Sequence, residues 1–433
     1  MFKIIPAALF FLSFFASLIS NAILRRLSIK YKLFLDEPNE QRKFHKKITP
    51  VTGGIGISIG IIFSALFLYS FDNNSFNLTQ EESSISKNNI VDFSEVNNVY
   101  EMKLANNINI KIQRVNEESF MIILPSGEKN IYKVGNDDSE TMTYEFNFDE
   151  VSKSINDRVN DFIFWLFLFT LLVQFFMAID DLWNLSPFAK LILQSICVGG
   201  LIFFSEIYIS NLGNILGFGD LTLGLFGIPF TIFCVVGIMN AFNMIDGING
   251  LCATLCLLCL ISLIYIINSN GTFGFYPLVI PVGAIVGFLM YNMGILGDRA
   301  VFLGDNGSNA LGFLCAWLLI FLSSSENQLI NPSTALWLVA IPFVDAVGVI
   351  LWRVLKKIKI LDSQRDHIHH KLLNLNFSEK FIFMILIFYS LVLAMIGIFF
   401  NNQYYDMEYL SFYSFIIFWG CYYLIVKQFR ENV

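Results

Sequence analysis

The sequence predicts an all-α polytopic membrane protein of eleven transmembrane helices with a small β-rich extracytoplasmic insert. Three observations lead there. Of 433 residues, 55% are hydrophobic and 15% charged, against about 25% charged in soluble domains, and the mean hydropathy is +0.61. Apolar runs recur near the roughly 20 residues needed to cross a bilayer's hydrocarbon, and each must be helical because lipid offers backbone polar groups no partner. Charged residues gather in a few segments between these runs.

The expected spans are 4–24, 53–71, 161–179, 187–205, 223–240, 248–268, 275–293, 307–324, 333–354, 380–400 and 408–426. The first reads as a membrane helix and not as a signal peptide, because it is long and its basic cluster follows it. Residues 25–47 carry eight basic and three acidic residues, and 353–371 carry six and two. The positive-inside rule puts both in the cytoplasm, with the N-terminus outside and the C-terminus inside.

Residues 72–158 hold sixteen acidic and eight basic residues and fall outside. Their opening, Asn73 to Asn89, reads as flexible. Ile108–Val115, Phe120–Leu124, Tyr132–Val134 and Thr143–Phe148 read as strands, with Pro125-Ser126-Gly127-Glu128 as a hairpin turn. Three parts result: 1–71 with the first two spans, the insert 72–160, and 161–433 with the remaining spans. All seven cysteines sit in apolar runs, which suggests helix packing and no disulfide framework. The net charge of −7 misleads, because its distribution matters more than its sum, and no nucleic-acid partner is expected.

Five segments do not suit lipid, and the topology above places all five on the cytoplasmic face: 36–54, 180–181, 240–250, 304–308 and 365–370. Asp180-Asp181 either caps a helix end or, because carboxylates there oppose the helix dipole, answers a cation or a substrate. Ser186-Pro187 opens the next helix as N-cap and N1. Lys190 in its first turn either snorkels or meets an anion, and it shares a face with Gln194. Asn240, Asn243, Asp246 and Asn249 recur every three residues, as a capped helix–loop–helix or as oxygen ligands for Mg²⁺. Gly304-Asp305-Asn306-Gly307-Ser308 is either a turn or a phosphate approach. His367, His369 and His370 suit phosphate contact or proton handling better than zinc. Asp345, deep in a span, is a functional candidate by default, or a structural hydrogen bond.

Six segments, DEPNEQRKFHKKITPVTGGI (36–55), DDLWNLSPFAKLILQ (180–194), NAFNMIDGINGL (240–251), NMGILGDRAVFLGDNGS (292–308), NPSTALWLVAIPFVD (331–345) and RDHIHHKLL (365–373), give the chain its likeness. It resembles the polyprenyl-phosphate N-acetylhexosamine-1-phosphate transferases, most of all the bacterial members that use UDP-GlcNAc and undecaprenyl phosphate. The resemblance implies transfer of GlcNAc-1-phosphate to undecaprenyl phosphate with release of UMP, the first membrane step of a cell-surface polysaccharide pathway in a bacterial inner membrane. It implies Mg²⁺, with Mn²⁺ as the alternative, held by Asn243 and Asp305 together with the donor's pyrophosphate. Asp180 and Asp181 match the family's aspartate pair, one of which deprotonates or orients the lipid phosphate. Asp246 matches the acidic position on the nucleotide side, and His369 and His370 match the terminal histidine motif. Lys190, Asn240, Asn249, Arg365, His367 and His45 are expected to bind substrate.

Two features depart from the family pattern. Asn249 stands where bacterial members usually have a second Asp, and the insert 72–160 replaces a short loop. The insert implies an accessory role with an unknown partner, and a homodimer is left open. Three other readings stand: the same reaction with another UDP-N-acetylhexosamine, including UDP-MurNAc-pentapeptide; a transporter, disfavoured because the charges sit at helix ends and not at the midplane; and an inactive scaffold.

Overall fold

The computed structural model describes residues 4–36, 48–71, 90–96, 99–104, 109–116, 119–123, 129–133, 148–183, 185–269, 276–297, 300–324, 329–359, 366–403 and 407–432. The helices are α1 (Ile4–Tyr31), α2 (Gly53–Phe71), α3 (Phe148–Trp183), α4 (Pro187–Ser205), α5 (Gly227–Ile245), α6 (Leu251–Ser269), α7 (Val279–Asn292), α8 (Gly304–Ser323), α9 (Pro332–Leu338), α10 (Ala340–Leu355), α11 (Ile368–Asn374), α12 (Glu379–Gln403) and α13 (Glu408–Asn432).

The chain is a multi-pass membrane protein, but the count of eleven spans needs correction. Among the described residues, eight helices are long and apolar enough to cross a membrane: α1, α3, α4, α5, α6, α8, α12 and α13. A ninth span arises if α9 and α10 are one span, bent by 88°. The other two expected spans are shorter apolar helices, Gly53–Phe67 and Val279–Asn292. The bend has local causes. Asn331 and Pro332 start α9, and Pro342 in the first turn of α10 has no N–H to continue the ladder from α9. The Asn401 side chain of α12 then accepts from the Asn331 N–H at 3.0 Å and the Thr334 hydroxyl at 3.2 Å.

Small residues set the packing. On α2, a Cβ at Gly56 or Gly60 would strike Asn21 or Ser17 of α1. On α7, Gly283 and Gly287 meet the α1 backbone at Phe10 and Phe14 in the same way. The central helix is α8, with 94% of its span buried against 17% for α13. It packs on α3 and α5, and a Cβ at Gly312 would lie 2.8 Å from the Met239 Cα of α5.

Two sheets accompany the helices. Strands β1 (Leu35–Asp36) and β2 (Thr49–Pro50) pair antiparallel. Between α2 and α3, strands β3 (Ile90–Val96), β4 (Val99–Leu104), β5 (Asn109–Asn116), β6 (Ser119–Ile123) and β7 (Lys129–Lys133) form a five-stranded antiparallel meander in chain order. Strands β5 to β7 lie at three of the expected strands, and β3 and β4 are additional. The expected flexible opening, the hairpin turn and most of the fourth strand lie outside the described residues. Phe148 already begins α3, so the first turns of that helix belong to the 72–160 segment.

Candidate active site

Helix ends that are distant in sequence meet at one end of the bundle. The last turn of α3 brings Asp180 and Asp181 to the start of α8. Asp181 Oδ2 accepts from the Asn306 side-chain amide at 2.5 Å and from the Asn306 N–H at 3.3 Å. A carboxylate pair that opposes the dipole of its own helix therefore faces the positive end of another. The buried Asp180 accepts from the Leu185 N–H at 2.8 Å and forms an ion pair with Lys190. Lys190 Nζ also lies 3.2 Å from Asp305 Oδ2. Ser186 caps α4 by accepting from the Ala189 N–H, which places Lys190 in the first turn between the two carboxylates.

The 50–54 segment forms one wall. Phe302 N–H donates to Pro50 O, Gly53 N–H to Phe302 O and Gly54 N–H to Leu303 O, at 2.8, 2.9 and 3.1 Å. Gly304 has φ +80°, and a Cβ there would strike Val51 and come within 3.2 Å of Asp181 Oδ2. Only glycine lets these three segments meet.

From α5, Asn243 donates to Ser308 Oγ at 2.9 Å, one turn beyond Asp305. Asp246 caps the end of the helix. Burial of its carboxyl, and then the charges of Asp305 and Asp181, raise its pKa well above the usual carboxylate range. Asn240 does not join these carboxylates. Its amide donates to Gln194 Oε1 at 2.9 Å, Gln194 donates to Asn309 Oδ1 at 2.6 Å, and Asn309 donates to the Asp305 carbonyl at 2.8 Å. This amide chain joins α5, α4 and α8 beneath the acidic cluster. Asn249 is exposed and has no side-chain partner among the described residues.

The histidine segment approaches from the other side. His369 is fully buried, and a Cβ at Gly247, beside Asp246, would strike its Nε2. Neither ring nitrogen of His369 has a hydrogen-bond partner among the described residues. Burial, and then the neighbouring His370, hold its pKa well below the usual histidine value. The His370 ring centroid is 4.1 Å from that of His369. His367 precedes α11, and its Nδ1 lies 2.8 Å from Asp345 Oδ2. His45 and Arg365 lie outside the described residues.

Among the described residues, no three His, Cys, Asp or Glu side chains converge as a metal cage. The carboxylate of Asp305 and the amide of Asn243 are hard oxygen donors in a region with an acidic excess. They suit a cation such as Mg²⁺, which is usually bound by one or two carboxylates and completed by substrate phosphates.

Sequence reasoning singled out the 304–308 segment and the face shared by Lys190 and Gln194 but gave no separate role to Gln194, Asn306 or Ser308, and it missed Asn309, whose only signal was its position four residues after Asp305. An apolar groove of about 440 Å³ runs between α5, α8, α9 and α10, lined by Phe233, Leu319, Leu336, Phe343 and Ile350 among others. It extends from Ala241 and Ile350 to Tyr208, Asn211 and Ser324 at the end of the bundle away from the carboxylates, and none of Asp180, Asp181, Lys190, Asn243, Asp246, Asp305 or His369 lines it.

Fold and site together define an integral membrane protein with a charged, amide-rich centre at one end of its helix bundle. The family model Glycosyl transferase family 4 matches residues 163–323. An undecaprenyl-phosphate alpha-N-acetylglucosaminyl 1-phosphate transferase of Escherichia coli K12 is 31% identical over 257 residues, covering 59% of this chain and 70% of that protein. The Haemophilus influenzae protein of the same name is 35% identical over 260 residues, covering 58% and 72%. The chain belongs to glycosyl transferase family 4.

Proposed function

We propose that this chain transfers GlcNAc-1-phosphate from UDP-GlcNAc to undecaprenyl phosphate, giving undecaprenyl-pyrophosphoryl-GlcNAc and UMP. The observation that carries this reading is the meeting of Asp180, Asp181, Lys190 and Asp305 at one end of a membrane-spanning bundle. One substrate is a soluble nucleotide sugar and the other a lipid, and a charged centre at the end of apolar helices serves both. The relatives' names supply the sugar and the lipid.

An oxygen of the lipid phosphate attacks the β-phosphorus of the donor. The bond from that phosphorus to the oxygen bridging to the α-phosphate breaks, and UMP leaves with the bridging oxygen. In phosphoryl transfer the protein mainly positions groups and offsets charge. Lys190 is aimed at the centre by Asp180 and Asp305 and offsets phosphate charge. Asp181 uses Oδ2 to hold Asn306, and its other oxygen is the acceptor for a proton from the lipid phosphate. Asp246 and the His369–His370 pair close the side where the nucleotide and sugar would lie. Mg²⁺, or Mn²⁺, held by Asp305 and Asn243 would supply Lewis-acid charge compensation.

The reading includes a bacterial plasma membrane, with the site and C-terminus cytoplasmic and the N-terminus outside. In sequence the basic segment 25–47 leads to Thr49–Pro50 and the segment 353–371 includes His369, both at the site end of the bundle, which supports this orientation through the positive-inside rule.

The test is UMP release and lipid-product formation by detergent-solubilised protein. We expect turnover with UDP-GlcNAc that chelation abolishes and that falls by about a hundredfold or more in Asp181→Asn and Asp305→Asn. Turnover only with UDP-GalNAc or UDP-MurNAc-pentapeptide would change the donor. Folded protein inert toward every donor would overturn the reading.

A further inference from the structure

Asp345 is 1% exposed in the middle of α10, where a carboxylate is costly unless donors surround it. Its Oδ1 accepts from the Ile368 N–H and from the Tyr422 hydroxyl, each at 3.1 Å, and its Oδ2 faces His367 Nδ1 at 2.8 Å. One side chain thus joins α10, α13 and the start of α11. A second tie lies beside it: Arg353 of α10 donates from Nε and Nη2 to Asp366 Oδ2 at 3.1 and 3.0 Å, also buried. Residues 366–368 are fixed from behind by these two ties. The same segment presents His369 against Gly247 in front.

We propose that Asp345 is a positioning residue for the transfer reaction: it holds His367 with the ring proton on Nδ1 and so seats the histidine segment against the Asp246–Gly247 turn. An ionised carboxylate only accepts hydrogen bonds, so the nitrogen facing it must carry the proton, and Nε2 becomes the basic nitrogen on the far side of the ring. The kinetic part of this proposal rests on the transferase reading above; the tautomer does not.

The isosteric variant Asp345→Asn separates this role from simple packing. Two donors already point at Oδ1, so the amide oxygen of the substituted side chain would stay there and its NH₂ would replace Oδ2. That group donates to His367 Nδ1 and forces the proton onto Nε2. The change reverses the tautomer with almost no change in volume.

The chain has four histidines, so ¹⁵N-histidine spectra can be assigned with His367→Gln. We expect the Nδ1–H form of His367 in the wild type and the Nε2–H form in Asp345→Asn. In Asp345→Asn we also expect kcat to fall about tenfold or more with KM for UDP-GlcNAc little changed, since a misheld tautomer damages chemistry more than binding. Asp345→Asn combined with His367→Gln should be no slower than the slower single variant, because both changes act through one ring. Tyr422→Phe removes one donor and should keep the tautomer.

An Nε2–H wild type, an unchanged tautomer in Asp345→Asn, full turnover with the tautomer reversed, or additive losses in the double variant would each overturn the proposal. If Asp345→Asn does not fold, the wild-type and Tyr422→Phe spectra still decide it. If the wild type shows no transfer, the functional reading fails while the spectra continue to decide the hold of Asp345 on His367.

Discussion

The surroundings of Asp246 oppose a charge on its carboxyl, since burial and then Asp305 and Asp181 all raise its pKa. The sign for stability follows. The folded state binds this proton more tightly than the unfolded chain, whose value is about 3.9. Stability is therefore lost as pH rises from about 4 through the raised folded value. Asp246→Asn should raise the chelator-treated thermal midpoint at neutral pH by about 2 °C or more, flatten its decline with pH, and reduce transfer. Thermal unfolding in detergent across pH 4–9 measures this, and a lowered midpoint would show that neighbouring groups depend on the charge.

Much at this scale was legible in the sequence, because helix polarity is a local property. Asp180-Asp181 and Lys190 stood out as charges of the wrong sign for their own helices. Their partners were not legible, since Asn306 lies 125 residues from Asp181. The Asn240 to Asn249 spacing was read too evenly. The helix ends at Ile245, so Asn249 no longer follows its period, and Asn240 turns toward Gln194 instead of toward the carboxylates.

Helices α5 and α8 carry Asn243 and Asp305, and their separation is set at Gly312. Gly312→Val would press on the Met239 backbone and, as overpacking, cost about 1–3 kcal/mol. It should also draw Asn243 away from Ser308. We expect a lower thermal midpoint and weaker Mg²⁺ activation, with Gly312→Ala intermediate; an unchanged Mg²⁺ dependence in Gly312→Val would dissociate the helix contact from the site. Hydropathy revealed the long helices but not the length needed to span. At 14 residues α7 reaches only about 21 Å, short of the roughly 30 Å of hydrocarbon. The break at Val339 was equally hidden, because α9 and α10 form one apolar run and only Pro342 hinted at two helices. Strand β4 was legible and went unread, since Tyr100-Glu-Met-Lys-Leu104 alternates apolar and polar residues, whereas the adjacent Ser94 and Glu95 break the pattern of β3.

In the whole molecule, α2 begins at the site and α3 ends there, so the meander between them joins the bundle at the end away from the site. Deleting 72–147 and joining α2 to α3 with a short flexible linker should leave the transfer rate within about twofold, because the deletion falls at the end of the bundle away from the site. Loss of activity in correctly inserted protein would instead tie the insert to catalysis.

The apolar groove is bordered by exposed Phe233 and Ile350, so it lies open along the apolar flank of the bundle. Under the proposed reaction the acceptor arrives by drifting within the leaflet. Its supply is then counted per area of membrane and not per volume of cytosol. Spreading the same amount of carrier through more inert lipid starves the enzyme, even when nothing in the surrounding solution has changed.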